Sequence, residues 1–527
     1  MTEKKIRIKL LPDEYWWGGV VRHGDAMPYG PDSVWLEDLA PISKTERALV
    51  DDECRGRYLD GNQGCPLLVS SKGRYVWSEQ WFSFEFKKGT LTITERNGEL
   101  EQGDGHENLR GAYLAACEKF FPPSGRIPHE LSFLAPQYNA WMDMQRWPTQ
   151  EKVLNYAQAI RDADMPPGIL MIDNYWYRNN GHWKWDLEAF PEPRAMIKQL
   201  RKQGFLVVLW VSPFVSSDTR QYKSLWEKGF LLRNAEDLPA IQQWWDGYSA
   251  AMDLSNPEAF AWYQGELDEL VADYGVSGFK FDGGDAYRYQ PTDRSFAPRT
   301  PYQHCEDFGR LGLKYDIAEY RACWKLGGQH LIQRVRDKGH VWGKGGFADT
   351  IPTTLTHGLV GYPYSCPDMV GGGLLGSFTR DNLAFDQELF IRWAQCGTFF
   401  PIVQYSMLPS RVLDNAHLEL CMDMVRLRLA MGQEILELAN HAAKTGEPIM
   451  RHMAYVFPDA GMEQVADQYM VGDKYLIAPV MTQGAVTKRI RFPEGKWRGD
   501  DDTLVEGPCD TEVDAPLSRL PWYTRVE

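Results

Sequence analysis

Residues 252–282 read MDLSNPEAFAWYQGELDELVADYGVSGFKFD, and the order of events inside that stretch decides the fold. Phe260, Tyr263, Leu267, Leu270 and Tyr274 recur at helical spacing and so share one face. The short apolar run GFKF then follows and ends on Asp282. One helix feeds one strand, and the strand finishes on a carboxylate.

The same grammar repeats on the N-terminal side. LSFLAPQYNAW (131–141) precedes TQEKVLNYAQAIRDA, GILMIDNYW (168–176) precedes EPRAMIKQLRKQG, and FLVVLWVSPFV (205–215) precedes a long loop. Apolar runs alternating with helical patterns are how a parallel sheet with crossover helices reads. Four strands are expected to end in polar residues, at Asp173, Ser212, Asp253 and Asp282, which suits a (β/α)8 barrel with its chemistry on that face. A doubly wound sheet gives a similar text for four units, and the length of the region, roughly 300 residues, favours the barrel. The barrel is expected over residues 126–440.

Residues 1–125 carry short β-branched or alternating runs, such as CPLLVSSKGRYVW, WFSFEF and GTLTIT, between turn residues, the pattern of a β-sandwich. FFPPSGRIPHE marks the boundary. After residue 440 short strands return in YMVGDKYLIAPVM and VTKRIRFPEGKW, so residues 441–527 are expected to form a small β domain.

At 527 residues with a net charge of −15, the chain has ample material for a core and no concentrated positive charge for nucleic acid or an acidic membrane surface. The nine cysteines (54, 65, 117, 305, 323, 366, 396, 421 and 509) contain no CxxC pair and read as reduced, mostly buried thiols. The charged N-terminus lacks an apolar signal-peptide run, and the expected setting is the cytoplasm. No cofactor is implied: the eleven histidines show no HExxH or paired metal spacing. GGGLLG (371–376) satisfies a dinucleotide fingerprint but lacks the βαβ context that gives it meaning.

Each candidate site residue has a structural rival. Asp282 at a strand end is placed for nucleophilic or base chemistry, yet DGGD is also turn chemistry. Asp337 lies in QRVRDKGHVW, where Arg334 and Arg336 offer it a surface ion pair of little consequence. Asp173 and Asp368 follow apolar runs, and either can cap the next element.

Taken together the motifs resemble glycoside hydrolase family 31, the retaining α-glycosidases. DLSNPEAFAWYQ with GVSGFKFDGGD is similar to that family's DxxNP helix and nucleophile strand, which makes Asp282 the nucleophile. The resemblance makes Asp337, five residues before Trp342, the acid/base, and Arg321, sixteen before Asp337, a substrate-binding arginine. GYPYSCPDMVGG is similar to the family's DIGG segment, which implies that Asp368 binds the sugar, and IRWAQCGTFFPI gives Arg392 and Trp393 family counterparts. TGEPIMRHM, DQYMVGDKYLIAPV and PEGKW resemble the β domain behind the barrel. Where the family's α-glucosidases have Arg-x-His, this chain has Gln404, Tyr405 and Ser406, leaving Gln404 in the neighbourhood of the sugar. FKFD, LIQRVRD, IPTTLT and FPIVQYS are closer to a branch whose implied preference is for α-galactosides.

The resemblance implies a double displacement in which Asp282 stays charged, helped by Lys280 and Arg321, while Asp337 keeps a proton through burial and the nearby negative charge of Asp282. Arg336 is then expected to point away. Lys280 and Asp173 are expected to meet sugar hydroxyls, with Trp141, Trp176, Trp210, Trp324 and Trp342 as pocket aromatics, about half of the first four touching sugar. EYWWGG (14–19) is expected at the barrel mouth, and Asp285 in a supporting role. The expected activity is that of a retaining, exo-acting α-galactosidase on a small carbohydrate. The rivals are an α-glucosidase or α-xylosidase, a sulfoquinovosidase using Arg178 or Lys184 for the sulfonate, and a carbohydrate-binding protein without catalysis. The oligomeric state is left open, a homo-oligomer included.

Overall fold

The computed structural model describes residues 4–41, 63–95, 99–379 and 385–526; the segment around Cys54 lies outside them. Eight parallel strands form a nearly closed barrel, here labelled β1 to β8 in chain order: β1 (Gln137–Asn139), β2 (Ile169–Ile172), β3 (Leu206–Val211), β4 (Gly278–Phe281), β5 (Ala318–Tyr320), β6 (Ile332–Arg334), β7 (Ser365–Cys366) and β8 (Gln404–Tyr405). The pairing order runs β7-β6-β5-β4-β3-β2-β1-β8. Ile402 N donates to Ser365 O at 3.2 Å, and Met369 bridges Gln404, drawing the two end strands together.

β4 shows how the sequence builds this barrel. Alternate residues of a strand face opposite sides. Phe279 and Phe281 point outward, where they meet Tyr315 at 4.9 Å and Tyr320 at 4.6 Å between ring centroids. Lys280 and Asp282 consequently point inward. The helix before it, α1 (Pro257–Tyr274), starts where the Asn256 side chain accepts from Glu258 N and buries Ala259, Tyr263, Leu267 and Leu270. It ends at Gly275, whose φ of +78° is left-handed backbone that favours glycine.

Asp253 departs from the expectation. It follows Gly247–Ala251, the middle strand of a three-stranded antiparallel sheet with Phe214–Ser216 and Ile241–Trp244 that projects between β3 and α1. Its carboxylate caps the turn into α1, accepting from Ser255 and from Phe296 N, instead of ending a barrel strand.

Two sheets precede the barrel. Lys4–Lys9, Thr90–Glu95, Phe82–Lys87 and Trp35–Asp38 make one; Gln63–Ser70, Tyr75–Ser78, Leu100–Gly103 and Trp16–Val20 make the other, joined by Cys323–Trp324 from the loop after β5. EYWWGG therefore contributes to a buried strand, not to the barrel mouth: Trp16 and Trp17 are in the core. A six-stranded sheet follows the barrel. Arg392 fastens it to the barrel by donating to the carbonyls of Ala485, Ala515, Pro516 and Arg519.

Eight described cysteines are free, seven of them buried. Among the described residues no helix is long and apolar enough to cross a membrane.

Candidate active site

At the C-terminal ends of the barrel strands a cavity of about 270 Å³ opens, lined by Trp141, Asp173, Trp210, Lys280, Asp282, Arg321, Arg334 and Asp337 among others. Barrel topology alone concentrates these groups: Asp173 follows β2, Trp210 lies on β3, Lys280 lies on β4 with Asp282 directly after it, Arg321 follows β5, and Arg334 and Asp337 come from the end of β6.

Asp282 is anchored by its surroundings. Trp210 Nε1 donates to its Oδ2 at 2.9 Å, Gly283 N donates to Oδ1 at 2.8 Å, and Arg321 Nε stands 3.8 Å away. Burial pushes its carboxyl up, but Lys280, Arg321, Arg334 and the Trp210 indole outweigh that and hold it below the ordinary value. Asp285, fully buried, lies 3.4 Å from Arg321 Nε and steadies that arginine. Lys280 Nζ lies 2.7 Å from Asp173 Oδ2, and burial, which lowers its pKa, is overcome chiefly by Asp173.

Asp337 differs from the expectation in its charge. Burial raises its carboxyl, yet Arg334, Arg321 and Lys280 outweigh burial and hold it below the ordinary value. Arg334 is the cause: the ion pair read from sequence as superficial has an arginine 2% exposed, 2.8 Å from Asp337 Oδ1. A buried guanidinium is screened less than one at the surface, so its field acts strongly on Asp337.

Of the aromatics expected at the pocket, Trp141 and Trp210 line it. Trp176 does not: its indole donates to the Trp210 carbonyl at 2.8 Å, and its ring packs among Tyr177, Trp183 and Trp185. Trp324 is drawn into the N-terminal sheet, where it stacks on Tyr302 at 3.9 Å. Trp342 turns away to donate to Asp386 at 2.9 Å. Gln404 lies under the pocket floor, donating to Glu319 at 2.8 Å. Asp368 is also beneath the lining, enclosed by Arg334 Nη1 at 2.7 Å, Lys338 N at 2.6 Å and Gly373 N at 2.9 Å. Burial and the charge of Asp337 raise its pKa, although three donors favour its carboxylate.

Several lining groups were not expected. Trp245 stands at the mouth, 39% exposed, with Arg321 and Arg288 over its ring at 5.1 and 5.4 Å. It tops the hairpin of Ile241–Trp244 and Gly247–Ala251, which Asp246 ties down by accepting from Tyr175 Oη at 2.8 Å and Asn180 Nδ2 at 2.6 Å. The adjacent tryptophans of QQWWDG were the available signal. Arg146, Leu374 and Leu375 complete the rim, so the glycine-rich GGGLLG forms a pocket edge instead of a nucleotide loop. Arg178 and Lys184 stay outside: the first pairs with Asp186 and Glu188, the second with Glu266 and Glu269.

Comparison with known proteins agrees with this architecture. Residues 133–327 match the Glycosyl hydrolases family 31 TIM-barrel domain, and residues 446–527 the Glycosyl hydrolase family 31 C-terminal domain. The chain is 32% identical to mouse myogenesis-regulating glycosidase over 77% of its own length and 58% of that protein. It is 27% identical to the α-xylosidase XylQ of Lactiplantibacillus pentosus over 66% of its own length and 47% of that protein. The chain thus spans about half the length of these curated relatives. A Flavobacterium johnsoniae family 31 dextranase complexed with glucose superposes with a TM-score of 0.83 at 20% identity, covering 99% of this chain and 66% of that one, which shows the shared fold.

Proposed function

The chain belongs to glycoside hydrolase family 31, and on that premise we propose that it is a retaining, exo-acting α-galactosidase. The observation that carries the reading is the presence of Asp282 and Asp337 in the lining of one small cavity. Double displacement works with two such carboxyl groups about 5 Å apart. Asp282 attacks the anomeric carbon as the glycosidic C–O bond breaks, and Asp337 gives its proton to the departing oxygen. Water then attacks the glycosyl-enzyme ester, Asp337 takes a proton from it, and the sugar leaves with its anomeric configuration retained.

A cavity of about 270 Å³ sits at the small end of ligand pockets and suits one terminal sugar. The Lys280–Asp173 pair supports galactose. It offers a donor and an acceptor side by side in the pocket wall, where an axial hydroxyl can engage both. The second reading is an α-xylosidase, the activity in the name of XylQ. The sulfonate reading loses support because Arg178 and Lys184 are engaged elsewhere. A binding protein without catalysis loses support because both Asp282 and Asp337 are retained in one cavity. The free thiols support a reducing, cytoplasmic setting.

Hydrolysis of nitrophenyl α-galactoside, α-glucoside, α-xyloside and sulfoquinovoside tests the reading. Preference for the galactoside is expected; turnover confined to another member of the panel overturns it.

A further inference from the structure

Arg334 ends β6 in the floor of the pocket and spreads one guanidinium over three carboxylates. Nη2 reaches Asp337 Oδ1 at 2.8 Å, Nη1 reaches Asp368 Oδ1 at 2.7 Å, and Nε stands 3.6 Å from Glu319 Oε1. The arrangement is braced from outside the barrel: Gln63, on an N-terminal strand, donates from Nε2 to the carbonyls of Arg334 at 2.8 Å and Tyr320 at 3.1 Å. Asp368 is pinned by two backbone amides, and Glu319 is fully buried. Of the three acceptors Asp337 alone reaches the cavity, with a third of its side chain open.

We propose that Arg334 is a positioning residue: anchored on Asp368 and Glu319, it fixes the orientation of Asp337 and favours its carboxylate, and so sets the alkaline limit of turnover. The inference rests on reading Asp337 as the acid/base. Such a group must be an acid in the first half of the reaction and a base in the second. The bridge favours the base, so the acid form is confined to lower pH.

Other charges bear on Asp337 from every side. Among the described residues these include Arg321 after β5, Lys280 on β4, and Asp368 after β7, which Lys338 also faces; Asp282 shares the cavity. Without Arg334, Arg321 and Lys280 still favour the carboxylate of Asp337, while Asp368 keeps two backbone amides and the charge of Lys338 but loses its guanidinium partner. The balance at Asp337 then swings toward the protonated form.

The test is the pH profile of kcat/KM on an activated α-galactoside for wild type, Arg334→Lys and Arg334→Met. In Arg334→Met the alkaline limb should move up by about 1–3 pH units, with Arg334→Lys close to wild type. A limb that stays in place while the rate falls equally at every pH overturns the proposal. If Arg334→Met does not fold, Asp368→Asn serves: it removes the competing carboxylate, leaves Arg334 to Asp337, and should move the limb down; an unmoved limb again overturns the proposal. Failure of the underlying reading has its own signature. If Asp337→Ala slows dinitrophenyl and phenyl galactosides to the same degree, Asp337 is not the acid, whatever Arg334 does.

Discussion

Lys280 and Asp173 are joined at 2.7 Å across the strands β4 and β2, both buried in the wall that also carries Asp282. Removing one partner leaves the other's charge buried and unmatched, at a cost of about 3–5 kcal/mol. Lys280→Met should therefore lower stability by that order and depress kcat/KM more than a hundredfold, since it also withdraws one of the cations that hold Asp282 charged. The double variant Lys280→Met/Asp173→Asn should be more stable than Lys280→Met alone. Denaturant titration of the three variants checks this, and strictly additive losses would contradict the pairing.

Trp210 is a second support of Asp282. Its indole donates to the carboxylate at 2.9 Å in a site almost closed to water. Hydrogen bonds to charged groups contribute about 1.5–3 kcal/mol. Trp210→Phe, which removes the donor and shrinks a buried ring, should lower kcat/KM roughly tenfold to a hundredfold and also lower the melting temperature, because a cavity is left where the indole packed.

The sign of the pH dependence follows from Asp282. Its folded-state carboxyl is held below the ordinary value, so its charge contributes stability that is fully present above the unfolded pKa, about 3.9. That contribution is lost as pH falls through the folded value. The acid limb of kcat/KM should accordingly lie below the ordinary carboxylate range, and Arg321→Met should raise it. A pH profile of the two proteins decides; an acid limb unmoved by the substitution would remove Arg321 from this role.

The strand β4 was open to sequence reasoning because its logic is local. Lys280 and Asp282 are two residues apart, so a strand puts them on one side, and flanking phenylalanines give the other side to the core. Arg334 was hidden for the opposite reason. An arginine three residues from an aspartate reads as a solvated pair, and only the long-range packing of Gln63 and Glu319 shows that this arginine is buried. Trp324 misled because the chain leaves β5 and pairs with an N-terminal strand, a partnership with no trace in spacing. Asp253 misled because an antiparallel hairpin carries strand-like residues just where a barrel strand was expected.

That hairpin yields a fourth prediction. Asp246 clamps its tip to the loop after β2 through Tyr175 and Asn180, and the clamp presents Trp245 at the mouth. Asp246→Ala should release Trp245, raising KM severalfold with a smaller change in kcat, and tryptophan emission should shift to the red. An unchanged KM would show that the hairpin does not shape the pocket.

The most direct test of the central claim is to trap the covalent intermediate. A fluorinated α-galactosyl fluoride, which forms the ester readily and loses it slowly, should inactivate the protein with one sugar attached per chain. Peptide mass spectrometry should place that sugar on Asp282. Inactivation with the label on a different carboxylate would contradict the account.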